Sequence, residues 1–205
     1  ISYGMVNLTT GKMSSRTGEV VTADSLLDQV KEKVREVMSE SSLEIKDDVI
    51  EQVAIGAVKF SMLKYSPASS IAFDVNQSVS LQGDSGPYLQ YTHARSQSVL
   101  KQANFKIGKT TLEDKSLEKE ERSLIRRLEY FSQIVEQSAC EYRPNLLAEY
   151  LLDLAKDFNL FYQNHRIIQS ATKERRLMLT WAVGEVIKTG LELLGSSDPP
   201  CLASQ

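Results

Sequence analysis

At 205 residues, 41% hydrophobic and 25% charged, the chain is long enough to bury a core and to make one or two domains. Its 24 Lys+Arg against 27 Asp+Glu give a formal net charge of −3, which excludes a general positive field, so a polyanion has to be met by local basic patches. Cys140 and Cys201 lie far apart without CxxC spacing, and His93 and His165 are the only histidines, which argues against a structural zinc site or a His-rich metal centre and for a reducing compartment.

The chain opens on Ile rather than Met and is expected to have been cut from something longer. "YGMVNL" is a short apolar run with strand character that feeds a loop at Thr9, Thr10 and Gly11. From Asp24 the apolar residues Leu26, Leu27, Val30, Val34 and Val37 recur at helical spacing behind a Thr22/Asp24 cap, and the serines at 39, 41 and 42 end the run. Asp47 or Asp48 caps a second helix with Val49, Ile50, Val53, Ala57 and Val58 on its buried face, stopped by Ser66-Pro67. "IAFDVNQSVSLQGDSG" breaks the helical period and predicts an ordered connection. Pro87 suits the first turn of a helix carrying Tyr88, Tyr91, Arg95 and Val99, and residues 104–116 predict an exposed basic loop. Three long helices follow: Leu117 to about Tyr142, Pro144 to about His165, and Ala171 to Leu194 with Gly195 as the stop. Long helices with short connections imply an antiparallel bundle, so the fold class is mainly α. The apolar runs are broken by charges before membrane-spanning length and no signal peptide is visible, so no membrane association is expected.

The chemistry-bearing stretch is "GKMSSR". An ammonium (Lys12), two hydroxyls (Ser14, Ser15) and a guanidinium (Arg16) on one loop suit a triphosphate, because cations neutralise the spreading charge while hydroxyls and backbone N–H groups orient phosphate oxygens. The GxxxxGK[ST] spacing of a Walker loop is missing, and a solvated polar turn has the same composition.

"GMVNLTTGKMSSRTGEVVTADSLLDQV" resembles the KMSKS-type signature loop of class I aminoacyl-tRNA synthetases. "AIGAVKFSMLKYSPASSIAFD", "LQGDSGPYLQYTHARSQSVL", "PNLLAEYLLDLAKDFNLFY" and "RRLMLTWAVGEVIKTGLELLG" are similar, in order, to the C-terminal part of arginyl-tRNA synthetase. The resemblance implies an arginine-activating ligase that uses ATP and magnesium and transfers arginine to its tRNA, in the cytoplasm, as a monomer at full length. It implies that Lys12, Ser14 and Arg16 are catalytic, with Lys12 stabilising the leaving pyrophosphate, and that Gly4, Met5, Val6, Lys12, Met13, Ser14 and Ser15 bind ATP. Ser15 departs from the signature, where the second lysine stands, and Arg16 is similar to the arginine of a KMSTR-like form. The HIGH signature and the arginine pocket belong upstream of these residues, so this stretch is not expected to be active alone and no metal site is assigned.

The same resemblance divides the chain into residues 1–85, the edge of a Rossmann-type α/β catalytic domain with connecting helices, and residues 86–205, an antiparallel helical anticodon-binding bundle of DALR type. Reading unstacked bases needs aromatic faces, and holding phosphates needs cations. Tyr88, Gln90, Tyr91 and Arg95 resemble the family's "GPYLQY" helix and so are tRNA-binding candidates, joined by Phe158, Asn159, Tyr162 and Trp181 as a base-reading surface, although aromatic residues at helical spacing more often make a core. Lys101, Lys106, Lys109 and Lys115 are candidate phosphate contacts, and Leu202 stands nearest to where family members place a terminal methionine. The alternative reading is a non-catalytic tRNA-binding or protein-docking helical module.

Overall fold

The computed structural model describes residues 4–9, 22–39, 46–108 and 117–196. Lys12, Met13, Ser14, Ser15, Arg16, Lys109, Lys115 and Leu202 lie outside the described residues. The elements run β1 (Val6–Leu8), α1 (Ala23–Ser39), α2 (Asp47–Leu63), β2 (Ile71–Phe73), α3 (Val75–Ser78), α4 (Gly86–Gln102), α5 (Lys119–Glu129), α6 (Phe131–Cys140), α7 (Pro144–Asn164) and α8 (Lys173–Leu193).

β1 pairs in parallel with β2, Val6 opposite Ile71 and Leu8 opposite Phe73. A parallel pair needs a long crossover, and α1 with α2 supplies it. Thr22 Oγ1 accepts from the Ser25 N–H at 3.1 Å and starts α1, which buries Leu26, Val30 and Val34. These meet Val49, Ile50, Val53, Ala54 and Ala57 of α2, with Phe73 of β2, in the smaller of two cores. The cap of α2 differs from expectation. Lys46 holds the extended cap position without a side-chain bond, while Asp47 and Asp48 occupy the first turn, where their charge complements the helix dipole.

The segment predicted as an ordered connection rather than a helix contains β2 and the short α3. A three-residue strand is too short to show alternation, and α3 is a single turn begun by Asp74, whose carboxylate accepts from the Gln77 N–H at 3.0 Å. Ser85 then caps α4, its hydroxyl accepting from the Tyr88 N–H at 3.1 Å, with Pro87 in the first turn.

The helix predicted over Leu117 to Tyr142 is two helices. At Tyr130 (φ −84°, ψ −7°) the N–H bonds back to the Arg127 carbonyl at 3.1 Å, a tighter i−3 pairing that redirects the chain. No Gly or Pro marks this break. It lets Phe131, Ile134 and Val135 of α6 pack against the larger core, which is built on Leu124, Leu151, Leu154, Phe158, Phe161, Ile187 and Leu191. Arg127 of α5 meets Asp153 of α7 while Ser123 meets Asp157, so those helices run antiparallel. Gly190 late in α8 touches Leu151 early in α7, so this pair is antiparallel too. α8 ends as the sequence predicts: Gly195 adopts φ +71°, its N–H bonds to Glu192 O at 2.9 Å, and the Ser196 N–H bonds to Leu191 O at 2.8 Å.

α4 lies between these parts. A Cβ on Gly86 would stand 2.6 Å from the carbonyl oxygen of Gly56 in α2, and one on Gly184 of α8 would stand 2.6 Å from Ser96 Oγ of α4. Phe60 of α2 is fully buried in the larger core, so the helix before the connection and the bundle after it share packing.

Gly86→Ala forces a Cβ against the α2 backbone and is expected to destabilise the fold by about 1–3 kcal/mol, read as a lower melting temperature by circular dichroism. Gly108→Ala, with nothing within 4 Å of the added Cβ, is the control and should leave the melt unchanged. An unshifted melt for Gly86→Ala would remove the close approach of α2 and α4 as a constraint.

Candidate nucleic-acid interface

Arg95 is the centre of the site. Tyr91 precedes it by four residues and Tyr88 by seven, so α4 stacks all three along one face, and Thr92 lies between them. From α7, Asn159 and Tyr162 reach the same place. The Arg95 guanidinium lies 4.7 Å from the ring centre of Tyr91 and 4.9 Å from that of Tyr162. One of its nitrogens donates to Tyr91 Oη at 3.0 Å and another to Asn159 Oδ1.

Because guanidinium is a donor only, the Asn159 amide must turn its oxygen to Arg95 and its nitrogen away. That nitrogen donates to Tyr88 Oη at 2.9 Å and to Thr92 Oγ1 at 3.1 Å, and the Thr92 hydroxyl donates to the Tyr88 carbonyl at 2.8 Å. The chain of bonds fixes the guanidinium plane. Every partner of Arg95 in it is neutral, whereas Arg127, Arg175 and Arg176 each face a carboxylate. Arg95 thus keeps its full charge beside two half-open aromatic faces, a combination that suits a stacked base and an adjoining phosphate.

The structure brings together Tyr88, Tyr91, Arg95, Asn159 and Tyr162, with Tyr162 40% exposed. Phe158 is fully buried and backs this cluster, its ring centre 6.4 Å from that of Tyr162. Gln90 is also fully buried, on the opposite side of α4 against Gly56. Both therefore sit in the packed interior in this conformation rather than at a surface a base could reach. Trp181 is half-buried on α8 against the larger core and, among the described residues, stands outside the Arg95 network. Lys101 and Lys106 are exposed at and beyond the end of α4. Sequence reading missed Thr92; its signal is the Tyr88-to-Thr92 spacing of four, the spacing at which a hydroxyl bonds back to a carbonyl.

At the other end of the chain, Gly4 is fixed by close approach: its N–H donates to Pro67 O at 2.8 Å, and a Cβ would fall 2.0 Å from Ser69 O. The Met5 carbonyl accepts from the Ile71 N–H at 2.8 Å while its side chain is 72% exposed, and Val6 pairs with Ile71.

A second cluster of charges closes the end of α7. Glu121 is fully buried and takes Arg175 and Arg176 at 2.8 Å each, and Arg176 also donates to the Arg166 carbonyl at 2.9 Å. His165 Nε2 lies 3.0 Å from Glu120 Oε2. The hydrogen bond with His165, then the Glu120 backbone N–H and Asn164, hold the Glu120 carboxyl down at about 2. Burial pushes Glu121 up, but the bonds from Arg176, the Glu118 N–H and Arg175 outweigh it and leave the carboxyl below its usual range. These groups tie α5, α7 and α8 together.

A family model described as "DALR anticodon binding domain" matches residues 89–200. The chain belongs to the DALR anticodon-binding domain family. The match begins within the first turn of α4 and runs through α8, and so contains every member of the Arg95 cluster except Tyr88, which lies one residue before its start. Curated relatives include the arginine–tRNA ligases of Flavobacterium psychrophilum, 36% identical over 208 residues, and of Phocaeicola vulgatus, 36% identical over 210 residues. Each alignment covers 97% of this chain but 34% and 35% of the relative, so the DALR chain spans about a third of the length of the curated relatives it matches. The solved structure of Thermus thermophilus arginyl-tRNA synthetase aligns over 97% of this chain and 34% of its own, at 34% identity and a TM-score of 0.86. Among the described residues no helix is long and apolar enough to cross a membrane.

Both Glu120 and Glu121 have depressed values in the folded state, so the stability they contribute is present above the ordinary value of 4.5 and is lost as the pH falls below it, for Glu120 toward about 2. Urea melts of the chain at stepwise lower pH should show that loss, and Glu120→Gln should flatten the curve below about pH 4.5. Identical acid profiles for the two proteins would contradict the His165–Glu120 pairing.

Proposed function

We propose that this chain is the C-terminal part of an arginine–tRNA ligase and that the Arg95 cluster receives an unstacked base of the anticodon end of arginine tRNA. The observation that carries the reading is the uncompensated Arg95 guanidinium held between Tyr91 and Tyr162 by Asn159, inside the segment matched by an anticodon-binding model. A base stacks on Tyr162 or Tyr91, Arg95 meets the adjoining phosphate, and Tyr88 with Asn159 holds the arginine in plane. The reading keeps Trp181 as a contact at the margin. Gln90 and Phe158 support it from within.

In the same reading ATP with magnesium, arginine and tRNA are substrates of the longer enzyme, a cytoplasmic monomer. Lys12 meets the leaving pyrophosphate, Ser14 and Arg16 assist adenylate formation, and Gly4, Met5 and Val6, with Met13 and Ser15, border the nucleotide. Residues 1–85 then form the edge of the Rossmann-type catalytic domain and residues 86–205 the tRNA-binding bundle. Parallel pairing of β1 with β2 supports that edge, since parallel strands belong to sheets covered by helices.

The test is a titration of the chain into labelled arginine tRNA, a transcript altered in its anticodon, and an unrelated tRNA at moderate salt. Arginine tRNA should bind tightest, the anticodon change should remove that preference, and Tyr162→Ala or Arg95→Ala should each cost about 1–3 kcal/mol of binding. Equal binding of all three RNAs, unaffected by either substitution, would sink the assignment.

A further inference from the structure

A groove of about 760 Å³ opens between α5, the start of α6 and α7. Lys119, Arg122, Arg126 and Tyr130 line it at successive spacings of three, four and four, which places them along one face of α5 and its C-terminal cap. Ser123, Arg127, Ile134 and Tyr150 complete the wall. Arg127 is occupied, with Asp157 at 2.7 Å, Asp153 at 3.4 Å and its carbonyl accepting from Tyr150 Oη at 2.8 Å. The remaining cations are different. Lys119, Arg122 and Arg126 are exposed, and among the described residues none of them has a carboxylate within ion-pair distance. Tyr130 is 55% exposed beside them. On a chain whose formal net charge is −3, this is a local concentration of unpaired positive charge against an open aromatic ring.

We propose that this groove is a second RNA-binding surface, which takes phosphodiester groups on Lys119, Arg122 and Arg126 and a ribose or base on Tyr130. It rests on the reading of the bundle as RNA-binding but assigns a separate contact. Tyr150 and Asn159 are nine residues apart on α7, about 13 Å along the axis and about half a turn around it. The groove and the Arg95 cluster therefore lie on opposite sides of α7, and one nucleotide cannot occupy both. Arg95 is pre-oriented by neutral hydrogen bonds and suits a particular base. The α5 cations face solvent, with only a long bond from Arg122 to the Leu117 carbonyl at 3.4 Å, and suit backbone of any sequence. Guanidinium planes beside an open tyrosine favour nucleic acid over an acidic peptide, which offers charge but no ring to stack.

The experiment measures anisotropy of labelled arginine tRNA and of a labelled unrelated RNA hairpin with the whole chain, between about 50 and 200 mM salt. It compares the wild type, the Arg122→Ala/Arg126→Ala double variant, Tyr130→Ala and Arg95→Ala, with labelled polyglutamate as a further probe. Alanine at exposed helical positions should leave the circular dichroism melt unchanged, which separates lost contact from lost folding. The double variant should weaken both RNAs alike and reduce the slope of log affinity against log salt by about 1.4 to 1.8, two lost phosphate contacts. Tyr130→Ala should weaken both with little change of slope. Arg95→Ala should instead remove the anticodon preference and keep most of the slope. If wild type and double variant share affinity and slope, the groove assignment is overturned while the Arg95 reading stands. If the double variant lowers the slope but Arg95→Ala keeps the anticodon preference, the groove stands and the Arg95 reading fails. Polyglutamate binding as tightly as the hairpin and lost in the double variant would make the groove an acidic-peptide site, and no binding of either RNA to the wild type would overturn both.

Discussion

The structure turns on how closely α4 can be approached. A helix normally keeps its neighbours at about 8–10 Å, with side chains filling the gap. Here Gly86 and Gly56 remove those side chains where α4 crosses α2, and Gly184 removes one where α8 meets Ser96. With both neighbours drawn in, the α4 face carrying Tyr88, Tyr91, Thr92 and Arg95 remains for α7, and the Arg95 cluster forms along that seam. Site geometry is thus a consequence of backbone packing on the other sides of the same helix. The turn before α4 is fixed as well: Lys64 Nζ donates to the Asp84 carbonyl at 2.8 Å and Lys156 of α7 meets the Asp84 carboxylate at 3.3 Å, so the start of α4 is tied to α2 and α7 together.

The buried Glu121 sets the rest of the bundle. Burial of an ion pair gives up hydration that attraction only partly restores, so such pairs are poor sources of net stability. They are exacting about geometry, because each remaining donor needs an acceptor. Arg176 meets this requirement with Glu121, the Arg166 carbonyl and His165, which come from α5, the α7–α8 connection and the end of α7. Glu121 also closes the first turn of α5 by accepting from the Glu118 N–H at 3.1 Å. With that inward edge fixed, the rotation of α5 is fixed, and Lys119, Arg122 and Arg126 are turned to solvent. The charge pattern of the surface is in this sense set by a charge in the core.

Much of the fold was legible because ends and stripes announce themselves. Thr22, Pro87, Pro144 and Gly195 mark helix boundaries that the structure keeps, and the apolar stripe that helical spacing gives in α7, Leu147, Tyr150, Leu151, Leu154, Phe158, Phe161 and Tyr162, is buried except at Tyr162. The break at Tyr130 was not legible, since a single tighter hydrogen bond makes it and no Gly or Pro stands there. β2 and α3 were lost for brevity, with too few residues for any period. In the candidate site, resemblance to the family's GPYLQY helix offered Tyr88, Gln90, Tyr91 and Arg95, and the need for a base-reading surface offered Phe158, Asn159, Tyr162 and Trp181; neither signal tells which of them packing buries, and Gln90 and Phe158 are inside. The reason is the position of α4. A helix packed on three sides buries polar residues as readily as apolar ones, and Gln90, Thr92, His93 and Ser96 are all inside. Polarity then ceases to report exposure.

What separates a structural arginine from one available to a ligand here is the charge of its partners. Arg127, Arg175 and Arg176 have carboxylates against them, and moving a polyanion onto any of them would require breaking an existing pair. Arg95 is held as firmly, but by a phenol, an amide and two ring faces, none of which cancels its charge. The rotamer entropy that a free arginine loses on binding has already been lost in folding, and the electrostatic attraction has not been used up. A guanidinium ordered by neutral groups is therefore poised for an anionic partner in a way that neither a paired arginine nor a freely rotating lysine can be. Because the chain as a whole is acidic, its overall field does not draw in a polyanion, so in the proposed role binding at Arg95 is decided by fit rather than by capture from a distance.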